Sequence, residues 1–402
     1  MRESMKTINV GLIGAGSIAR AHAIAYVSAR TYCGPELPPV RLRCVAEAEE
    51  GLAKAAAERL GFEEWTSDWE GLVARRDIDL VSIVTPNFLH APMAIAAASA
   101  GKHVFCEKPL AINAKEAEEM YRVAEAAGIV HAVDFNYRKV PAVQFMRRLI
   151  RAGRLGSVRQ FRAAYLQDWG NEARLPRSWK FRSSGSGAGA LIGVGSHAID
   201  LARYLVGELE RVVATTEIWV KERPLPTSSL AFEPVRAEAE LAAVDVDDSA
   251  YFLGRFAGGA IGVFEISRCA AGRKNQLALE IHGSLGSVCY DYERPNEVKL
   301  YLNDHDSETT GFRTILIGPA QDNAALLAFA GVGVGFAESI IFQVRDLLLA
   351  IKGGPAMSPN FHDGWRAQLV VDAVLDSARY GSWAAVPPGP AYAAVAGAGV
   401  TA

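Results

Sequence analysis

Ile8-Asn9-Val10-Gly11-Leu12-Ile13 is a short apolar run that stops at Gly14-Ala15-Gly16-Ser17-Ile18-Ala19. The second segment matches Gly-x-Gly-x-x-Gly/Ala, the turn that joins a strand to a helix in dinucleotide-binding folds. The first glycine makes the tight turn, the second lets a pyrophosphate approach the backbone, and the small third residue lets the helix pack on the strand. Free N–H groups at the start of that helix attract phosphate. We therefore predict a dinucleotide site at Gly14, Gly16, Ser17 and Ile18; the alternative is a glycine turn that serves packing alone.

The next predicted strand, residues 41–46, ends at Glu47. A carboxylate at this point accepts hydrogen bonds from the adenosine ribose of NAD and repels the 2′-phosphate of NADP. Residues 48–50 include no arginine that would hold such a phosphate. The sequence thus favours NAD over NADP. An ordinary solvated acid at the end of a strand is the alternative.

Strands and helices continue to alternate through the first third of the chain. Buried strands are predicted at residues 79–84, 102–105 and 129–133, with helical segments between them. This alternation is typical of a doubly wound parallel sheet. We therefore predict an α/β Rossmann domain over residues 1–137.

The predicted strand at residues 102–105 leads into Cys106-Glu107-Lys108-Pro109. In an open α/β sheet, ligands bind at the carboxyl ends of the strands, so Lys108 is expected beside a nicotinamide ring. Burial and the positive charge of an oxidised nicotinamide both favour a neutral amine, which can take a proton from an alcohol. Lys108 is therefore a candidate proton carrier. The alternative is a phosphate-binding or surface lysine.

The pattern changes from about Pro141 onward. One predicted helix is followed by long β-rich segments without regular helical crossovers, which favours a mostly antiparallel or mixed sheet with helices on one face. We predict an α+β domain over residues 138–402, built on a large open sheet. The other face of that sheet would close the cofactor cleft or pair with another subunit. In a predicted helix from Phe336 to Lys352, an apolar stripe indicates a core-facing side.

Length and composition set the broad class. At 402 residues the chain is long enough for two domains, and its 50% hydrophobic and 22% charged residues are typical of a globular protein. A net charge of -3 and the lack of a basic run give no reason to expect nucleic acid or a membrane as partner. The N-terminus lacks the apolar core of a signal peptide, and the five cysteines are scattered. We expect a soluble cytoplasmic protein.

Several motifs, in order along the chain, resemble those of the Gfo/Idh/MocA oxidoreductases, the glucose–fructose oxidoreductase and inositol dehydrogenase group. The matching segments are Gly14-Ala15-Gly16, Thr85-Pro86-Asn87, Glu107-Lys108-Pro109, Gly187-Ala188-Gly189 and Gly195-Ser196-His197-Ala198-Ile199-Asp200. Within the family, Gly272-Arg273-Lys274-Asn275 is similar to the levoglucosan dehydrogenase type. The resemblance implies a Rossmann domain, an open-sheet domain that often forms an oligomer interface, and NAD(P)-dependent chemistry at a carbinol carbon of a sugar, cyclitol or polyol.

The resemblance also implies roles for individual residues. Lys108 would be the catalytic lysine, with a cis peptide bond expected before Pro109. The further residues implied to contact the cofactor are Thr85, Asn87, His90, Glu107, Asn136, Trp179 and Lys180. Glu107 would adjoin the nicotinamide ribose, whereas Trp179 and Lys180 would reach the cofactor from the second domain.

One position departs from the family. The family signature usually has an aspartate four residues before its histidine, and here Gly193 takes that position before His197. Either Lys108 and His197 carry the proton alone, or another acid fills the gap. Asp168 is the candidate replacement, but it could equally bind a substrate hydroxyl or be a solvated turn residue. A neutral His197 is favoured near the start of a predicted helix, and a packing histidine is the alternative.

The expected substrate is a small sugar or cyclitol, which requires stacking and hydrogen-bonding groups. The candidate substrate ligands are Lys108, Tyr137, Arg138, Tyr165, Asp168 and His197. Tyr137, Arg138 and Tyr165 could each be a core or rim residue instead. The remaining histidines show no metal-ligand spacing, so no metal is expected.

We therefore expect an NAD-dependent oxidoreductase that transfers a hydride between nicotinamide and a secondary alcohol or ketone of a sugar, cyclitol or polyol. A homo-oligomer, dimer or tetramer, is expected through the C-terminal sheet. Two alternatives stay open. One is an enzyme that oxidises its sugar only transiently with tightly bound NAD, to allow elimination or glycoside cleavage. The other is a sugar- or dinucleotide-sensing protein without activity.

Overall fold

The computed structural model describes residues 5–226, 234–235, 239–303, 308–321 and 329–388. A first sheet occupies the N-terminal third. Its strands are β1 (Ile8–Ile13), β2 (Val40–Ala46), β3 (Glu64–Thr66), β4 (Leu80–Ile83), β5 (His103–Cys106) and β6 (His131–Val133). Their order is β3-β2-β1-β4-β5-β6, and every neighbouring pair is parallel. The chain winds outward in both directions from β1 and β4, so a ligand crevice opens at their carboxyl ends.

Helices connect these strands. They are α1 (Ser17–Cys33), α2 (Glu50–Leu60), α3 (Trp69–Ala74), α4 (His90–Ser99) and α5 (Ala114–Ala126). Local sequence sets their ends: Asn113 accepts a 2.9 Å hydrogen bond from the backbone N–H of Glu116 at the start of α5, and a left-handed Gly61 closes α2. The prediction of a doubly wound Rossmann sheet is confirmed.

The second sheet is the larger one. Its strands are β7 (Val158–Leu166), β8 (Leu209–Glu217), β11 (Ser249–Phe256), β12 (Ile261–Ser267), β13 (Gln276–Gly283), β14 (Gly286–Asp291), β15 (Glu297–Leu302), β16 (Arg313–Leu316) and β17 (Ala384–Ala385). Strands β9 (Glu222–Pro224) and β10 (Leu241–Ala243) form a separate antiparallel ladder. The order is β16-β15-β14-β13-β7-β12-β11-β8-β17. Only β7 and β12 pair in parallel within the described residues, so the predicted open, mostly antiparallel sheet is confirmed.

The second set of helices covers one face of this sheet, and one of them packs back onto the first domain. They are α6 (Pro141–Arg151), α7 (Ser183–Ser186), α8 (Ala190–Gly193), α9 (Gly195–Leu205), α10 (Phe336–Ile351) and α11 (Phe361–Tyr380). Helix α9 contacts β7 and α11 contacts β8, whereas α10 packs against α1. Ile340, Val344 and Leu347 of α10 are buried in one core with Tyr26 of α1, as the apolar stripe predicted. The domain boundary after residue 137 stays a prediction; α10 lies after this boundary in sequence but packs against α1, which lies before it.

The opposite face of the second sheet carries exposed apolar side chains on β11 and β12. Along β11, Phe252 and Phe256 are buried, whereas Tyr251 and Leu253 are 39% and 42% exposed. Strand side chains alternate between faces, so this pattern leaves an apolar outer surface. Separately, none of the helices in the described ranges combines the length and apolar character needed to cross a membrane.

Candidate active site

The glycine turn lies at the carboxyl end of β1. Gly14 has a φ of +102°, and a Cβ there would lie 2.8 Å from the carbonyl oxygen of Val84, so the turn requires glycine. A Cβ on Gly16 would meet no atom within 4 Å, which leaves its backbone open to a ligand. Helix α1 begins directly afterwards at Ser17. This arrangement fits the phosphates of a dinucleotide.

Glu47 follows β2 and contacts the same turn. Its Oε2 accepts a 2.8 Å hydrogen bond from the N–H of Ala15, and its Oε1 accepts a 2.9 Å bond from the N–H of Ala48. Arg59 donates a 3.2 Å bond to the carbonyl of Ala15. The carboxylate is thus fixed where the ribose of a bound dinucleotide is expected. The residues present therefore fit NAD, which Gly14, Gly16 and Glu47 would hold.

Lys108 and Pro109 are joined by a cis peptide bond after β5, as expected. The half-buried Lys108 amine donates a 2.9 Å hydrogen bond to the carbonyl of Gly193, the last residue of α8. Lys108 therefore reaches from the first sheet to position 193, where the family signature usually has an aspartate. Gly193 supplies a backbone oxygen in place of a side chain.

His197 lies in the first turn of α9 and is 4% exposed. The ring centroids of Tyr137, Phe135 and Tyr165 lie 4.5, 5.8 and 6.1 Å from its imidazole. Its Nδ1 has no hydrogen-bond partner among the described residues. Burial, and then the positive charge of Lys108, hold the pKa of His197 well below its ordinary value. His197 is therefore a neutral imidazole within electrostatic reach of Lys108.

A chain of hydrogen bonds runs through the aromatic residues of this region. The hydroxyls of Tyr137 and Tyr165 lie 3.0 Å apart, and the hydroxyl of Tyr165 donates a 2.9 Å bond to Asn275 Oδ1. Asn275 Nδ2 donates a 3.3 Å bond to the hydroxyl of Tyr137. Gln167 donates a 2.7 Å bond to Asn275, and the Trp169 indole donates a 2.7 Å bond to Gln167. This series of hydrogen bonds connects the segment after β6 with β7 and with the residue before β13, on one side of His197.

Asp168 forms an ion pair on the rim. Its Oδ2 accepts bonds of 2.7 Å from Lys274 Nζ and 3.2 Å from the N–H of Gly272. The hydrogen bond from Lys274 holds the pKa of the Asp168 carboxyl below its ordinary value. In the part of the chain that the structure describes, no hydrogen bond or ion pair joins Asp168 to Lys108 or His197. A catalytic role for Asp168 stays a prediction.

Glu107 belongs to a buried cluster that sequence patterns did not predict. His22 of α1 lies with its Nε2 3.2 Å from Glu107 Oε1 and 3.5 Å from Asp134 Oδ2. Its Nδ1 lies 2.8 Å from Ser82 Oγ. Glu107 Oε2 in turn accepts a 3.1 Å bond from the backbone N–H of Lys108. The cluster therefore supports the Lys108 backbone from inside the first sheet.

Burial and proximity set the charges in this cluster. Burial alone would lower the pKa of His22, but hydrogen bonds to Asp134 and Glu107 raise it to about 9. Burial and the charge of Glu107 raise the pKa of Asp134 to about 7. Burial opposes ionisation of Glu107 as well, but the hydrogen bond and charge of His22 lower its pKa to about 2. The ligand-type atoms of the three residues lie within 4.8 Å of one another, and protonated His22 supplies the cationic partner.

His90 connects two turns beneath the site. Its Nδ1 lies 2.8 Å from the carbonyl oxygen of Pro109 and its Nε2 lies 2.9 Å from that of Thr85. Burial lowers the pKa of His90, so the ring is neutral and donates to one of these oxygens. Both nitrogens of His90 face backbone atoms. The cofactor contact expected for His90 therefore stays a prediction, and its observed contacts position the turns after β4 and β5.

Two predicted cofactor residues are amides that hold other elements in place. Asn87 donates a 3.2 Å bond to the carbonyl of Ser186, and Asn136 donates a 2.8 Å bond to Ser339 Oγ of α10. Both are buried. These bonds connect the turn after β4 to α7, and the end of β6 to α10, and so shape the cleft from two sides.

Trp179 and Lys180 approach from the segment before α7. Lys180 Nζ lies 4.2 Å from the ring centroid of Trp179. Burial, and then the positive charge of Lys108, lower the pKa of Lys180 to about 8. Lys180 thus lies within electrostatic reach of Lys108, on the side of the second sheet.

Arg138 is committed to a buried ion-pair network. Its Nε and Nη2 donate bonds of 2.7 and 2.5 Å to Asp200, and Nη2 donates a 3.0 Å bond to Asp363. Nη1 donates a 3.2 Å bond to Ser358. Burial raises the pKa of Asp200 to about 6 despite the guanidinium, whereas the charge of Arg138 outweighs burial at Asp363 and lowers its pKa to about 2. Every guanidinium nitrogen of Arg138 thus has a protein partner, and the substrate contact expected for Arg138 stays a prediction.

Comparison with known proteins decides the family. Residues 8–135 match the family model described as the oxidoreductase family with an NAD-binding Rossmann fold, and residues 143–289 match the GFO/IDH/MocA C-terminal domain. The chain is 43% identical over 387 residues to levoglucosan dehydrogenase of Pseudarthrobacter phenanthrenivorans, which covers 95% of this chain and 99% of that protein. The chain belongs to the GFO/IDH/MocA oxidoreductase family. It is also 28% identical over 371 residues to inositol 2-dehydrogenase of Rhizobium meliloti, covering 92% of this chain and 97% of that protein.

Solved structures of this family share the whole architecture. Levoglucosan dehydrogenase in complex with NADH and levoglucosan superposes with a TM-score of 0.89 at 41% identity, over 95% of this chain and 100% of that chain. The complex with NADH and L-sorbose superposes with a TM-score of 0.90 at 42% identity, over 94% and 99% of the two chains. The predictions of the family, of an NAD-binding Rossmann domain and of an oxidoreductase are confirmed.

Sequence reasoning missed some residues of this GFO/IDH/MocA site. His22 carried one usable signal, because it follows Ala19 of the glycine motif by three residues and so shares its inward-facing side of α1. Asp134 follows β6 directly and lies at the same edge of the sheet as Lys108, which follows β5. Asn275 ends the segment that is similar to the levoglucosan dehydrogenase type, but that segment does not reveal its bonds to Tyr165 and Gln167, which lie more than a hundred residues away.

Proposed function

We propose that the protein is an NAD-dependent dehydrogenase that oxidises a secondary alcohol of a cyclic sugar or related polyol, or reduces the matching ketone. One observation carries this proposal: the Lys108 amine, held 2.9 Å from the Gly193 carbonyl, lies within electrostatic reach of a neutral, buried His197. The relatives named levoglucosan dehydrogenase and inositol 2-dehydrogenase support a cyclic polyol as the substrate class.

Lys108 and His197 have different roles in the proposed reaction. Bound NAD+ supplies the acceptor for the hydride, which is two electrons and one proton taken from the carbinol C–H. The hydroxyl proton is left for the protein, and the Lys108 amine takes it as general base. In the reverse direction the Lys108 ammonium returns a proton to the ketone oxygen. His197, a buried neutral imidazole within electrostatic reach of Lys108, is the second polar group that orients the reacting hydroxyl.

The hydrogen-bonded chain of Tyr137, Tyr165 and Asn275 supports polar groups suited to a sugar. Tyr137 and Tyr165 are each 3% exposed, and their contacts position the His197 imidazole and the Asn275 amide. Asn275 and Gln167 add amide groups that are only half-buried. A site that hydrogen-bonds the hydroxyls of its substrate binds analogues that lack those hydroxyls much more weakly.

The test is a kinetic assay of wild-type protein and one variant. With NAD+ and a panel of anhydrosugars, pyranoses and cyclitols, the absorbance of reduced nicotinamide should rise with at least one compound. Lys108→Ala should lower kcat by about a hundredfold or more while calorimetric NAD+ affinity stays unchanged. Lys299→Ala, which removes an exposed lysine of β15, is the matched control. A fully active Lys108→Ala variant would overturn the mechanism.

The same assay separates net oxidation from transient oxidation. We expect NADH to accumulate in proportion to the ketone formed. Turnover of a sugar without accumulation of NADH would instead favour elimination or glycoside cleavage with retained NAD. Absence of hydride transfer from any labelled sugar would favour a sensing protein.

We further propose that the protein is a cytoplasmic homo-oligomer, dimer or tetramer, assembled through the second sheet. The outer face of β11 and β12 exposes an apolar group of 39–43% exposed side chains, Tyr251, Leu253, Ile261 and Val263. A surface of this kind is typical of an interface between subunits. Light scattering of wild-type protein should give a multiple of the 43.2 kDa chain mass, and Leu253→Glu should reduce it. A monomeric wild type would contradict this proposal.

A further inference from the structure

Gly193 stands out in the segment that carries His197. Between residues 188 and 203, Gly193 is half-buried and all the remaining residues are buried. It ends α8, and α9 begins two residues later at Gly195. Position 193 is therefore the point at which this otherwise enclosed segment meets open space.

The fold does not require glycine at this position. The φ of Gly193 is not positive, and a Cβ built on it would meet no atom within 4 Å. Nearby Gly189 is different, since a Cβ there would lie 1.7 Å from the carbonyl oxygen of Asp247. A side chain at position 193 is thus compatible with the surrounding structure. Glycine at this position therefore leaves a space that a ligand can occupy.

The open space adjoins the reacting group. The carbonyl of Gly193 accepts the 2.9 Å hydrogen bond from Lys108 Nζ. The Cβ and the carbonyl oxygen of one residue are only three covalent bonds apart. A side chain at position 193 would therefore begin a few ångströms from the Lys108 amine that this oxygen binds. Any residue at 193 would keep the carbonyl. A substitution at position 193 therefore fills the space beside the Lys108 amine but keeps the hydrogen bond between that amine and the backbone carbonyl.

We propose that Gly193 determines substrate specificity: without a side chain, it leaves room beside the Lys108 amine for a substituent on the ring carbon next to the reacting one. This inference rests on the proposed function, because it takes Lys108 as the group that meets the reacting hydroxyl. The atoms closest to that hydroxyl, besides its own carbon, belong to the adjacent ring carbons and their substituents. The substrate class is thus a cyclic sugar that carries an O-substituent or an anhydro bridge next to the oxidised carbon.

The test enlarges position 193 in steps. Gly193→Ala and Gly193→Val are compared with wild type on matched pairs of pyranosides, one with free hydroxyls and one O-methylated next to the reacting carbon. Gly193→Ala should lower kcat/KM for the methylated sugar by about tenfold, and Gly193→Val by more. The loss for the free sugar should be several-fold smaller than the loss for the methylated sugar, because the Lys108 hydrogen bond is retained with both. Gly258→Ala is the matched control, since a Cβ there also meets no atom within 4 Å.

Two readouts besides activity exclude a structural effect. The melting temperature and the calorimetric affinity for NADH should match wild type in Gly193→Ala. In the presence of NADH, affinity for the methylated sugar should fall in parallel with kcat/KM. Equal losses for both sugars, no loss for either, or rejection of the methylated sugar by wild type would each overturn the inference. If no sugar at all reduces NAD+ with wild type, the proposed function fails first and the inference fails with it.

Discussion

His22 and Glu107 form an ion pair inside the first sheet, with Nε2 and Oε1 3.2 Å apart and side-chain exposures of 0% and 10%. The pair lies directly behind the backbone of Lys108, whose N–H donates a 3.1 Å hydrogen bond to the other oxygen of Glu107. The backbone of Lys108 is therefore attached to a buried charge cluster. That cluster depends on a histidine from α1.

Removal of His22 should destabilise the protein strongly. In His22→Ala, Glu107 and Asp134 would keep two buried acidic groups without their cation, and loss of one partner of a buried pair costs about 3–5 kcal/mol. Urea unfolding monitored by circular dichroism measures this loss. His282→Ala, which removes a partly exposed histidine, should cost less than about 1 kcal/mol. Similar losses in the two variants would contradict a special role of the cluster.

The stability of the protein should fall as pH rises from about 7 to about 9. His22 has a folded pKa of about 9 against an ordinary value of 6.5, so its contribution is complete below about 6.5 and is lost as pH passes 9. Asp134, with its pKa raised to about 7 from 3.8, contributes with the same sign at lower pH. Each pKa unit corresponds to about 1.4 kcal/mol, so His22 accounts for a decrease of up to about 3 kcal/mol.

The pH effect is assigned to His22 by comparison of variants. Urea unfolding of wild type and His22→Gln at about pH 6 and about pH 9 gives the two slopes. Lys180, whose pKa is lowered to about 8, has the opposite sign, but its contribution is common to both proteins. His22→Gln should lose most of the decline between the two pH values. An equal decline in both proteins would assign it to other groups.

Local motifs predicted the parts of the site that depend on the backbone. The turn at Gly14, the acid at Glu47 and the cis bond before Pro109 each belong to one short segment at the carboxyl end of one strand. Such features are specified by residues that are neighbours in sequence. Their positions could therefore be predicted without knowledge of the fold.

The remaining contacts could not be predicted, because they form between segments far apart in sequence. Arg138 looks like a free sugar ligand in the sequence, but Asp200 and Asp363 meet it from α9 and α11. Asp168 looks like a replacement acid, but Lys274 lies 106 residues further on and pairs with it. Both partners are revealed only by tertiary packing.

Loss of Arg138 should affect stability more than catalysis. Arg138→Met would leave Asp200 and Asp363 buried without their guanidinium, at a cost of about 3–5 kcal/mol. Arg138→Lys should restore little of it, because an ammonium cannot reproduce the bidentate geometry. Thermal unfolding measures both variants, with exposed Arg159→Met as the control. In protein kept folded at low temperature, KM for the sugar should stay within about threefold of wild type; a large increase would restore Arg138 as a substrate ligand.

Glu47 should control the choice between NAD and NADP. Glu47→Gln keeps an oxygen that can accept from the N–H of Ala15, but it removes the charge that repels a 2′-phosphate. The ratio of kcat/KM for NAD+ over NADP+ should therefore fall by about tenfold or more, through both a higher KM for NAD+ and a lower one for NADP+. Glu49→Gln alters an exposed acid two residues away and should leave the ratio unchanged. An unchanged ratio in Glu47→Gln would show that the carboxylate serves only the glycine turn.

Asp168→Asn distinguishes a rim ion pair from a proton carrier. The carboxylate contacts Lys274, which is 79% exposed, and exposed ion pairs of this kind stabilise a protein only weakly because solvent screens them. We therefore expect Asp168→Asn to keep kcat within about threefold of wild type, with the same pH dependence of kcat. Lys274→Ala should behave alike, because it breaks the same pair from the other side. A loss of about a hundredfold in Asp168→Asn alone, with a shifted pH profile, would mean that Asp168 leaves Lys274 during turnover and carries the proton that an acid at position 193 would otherwise carry.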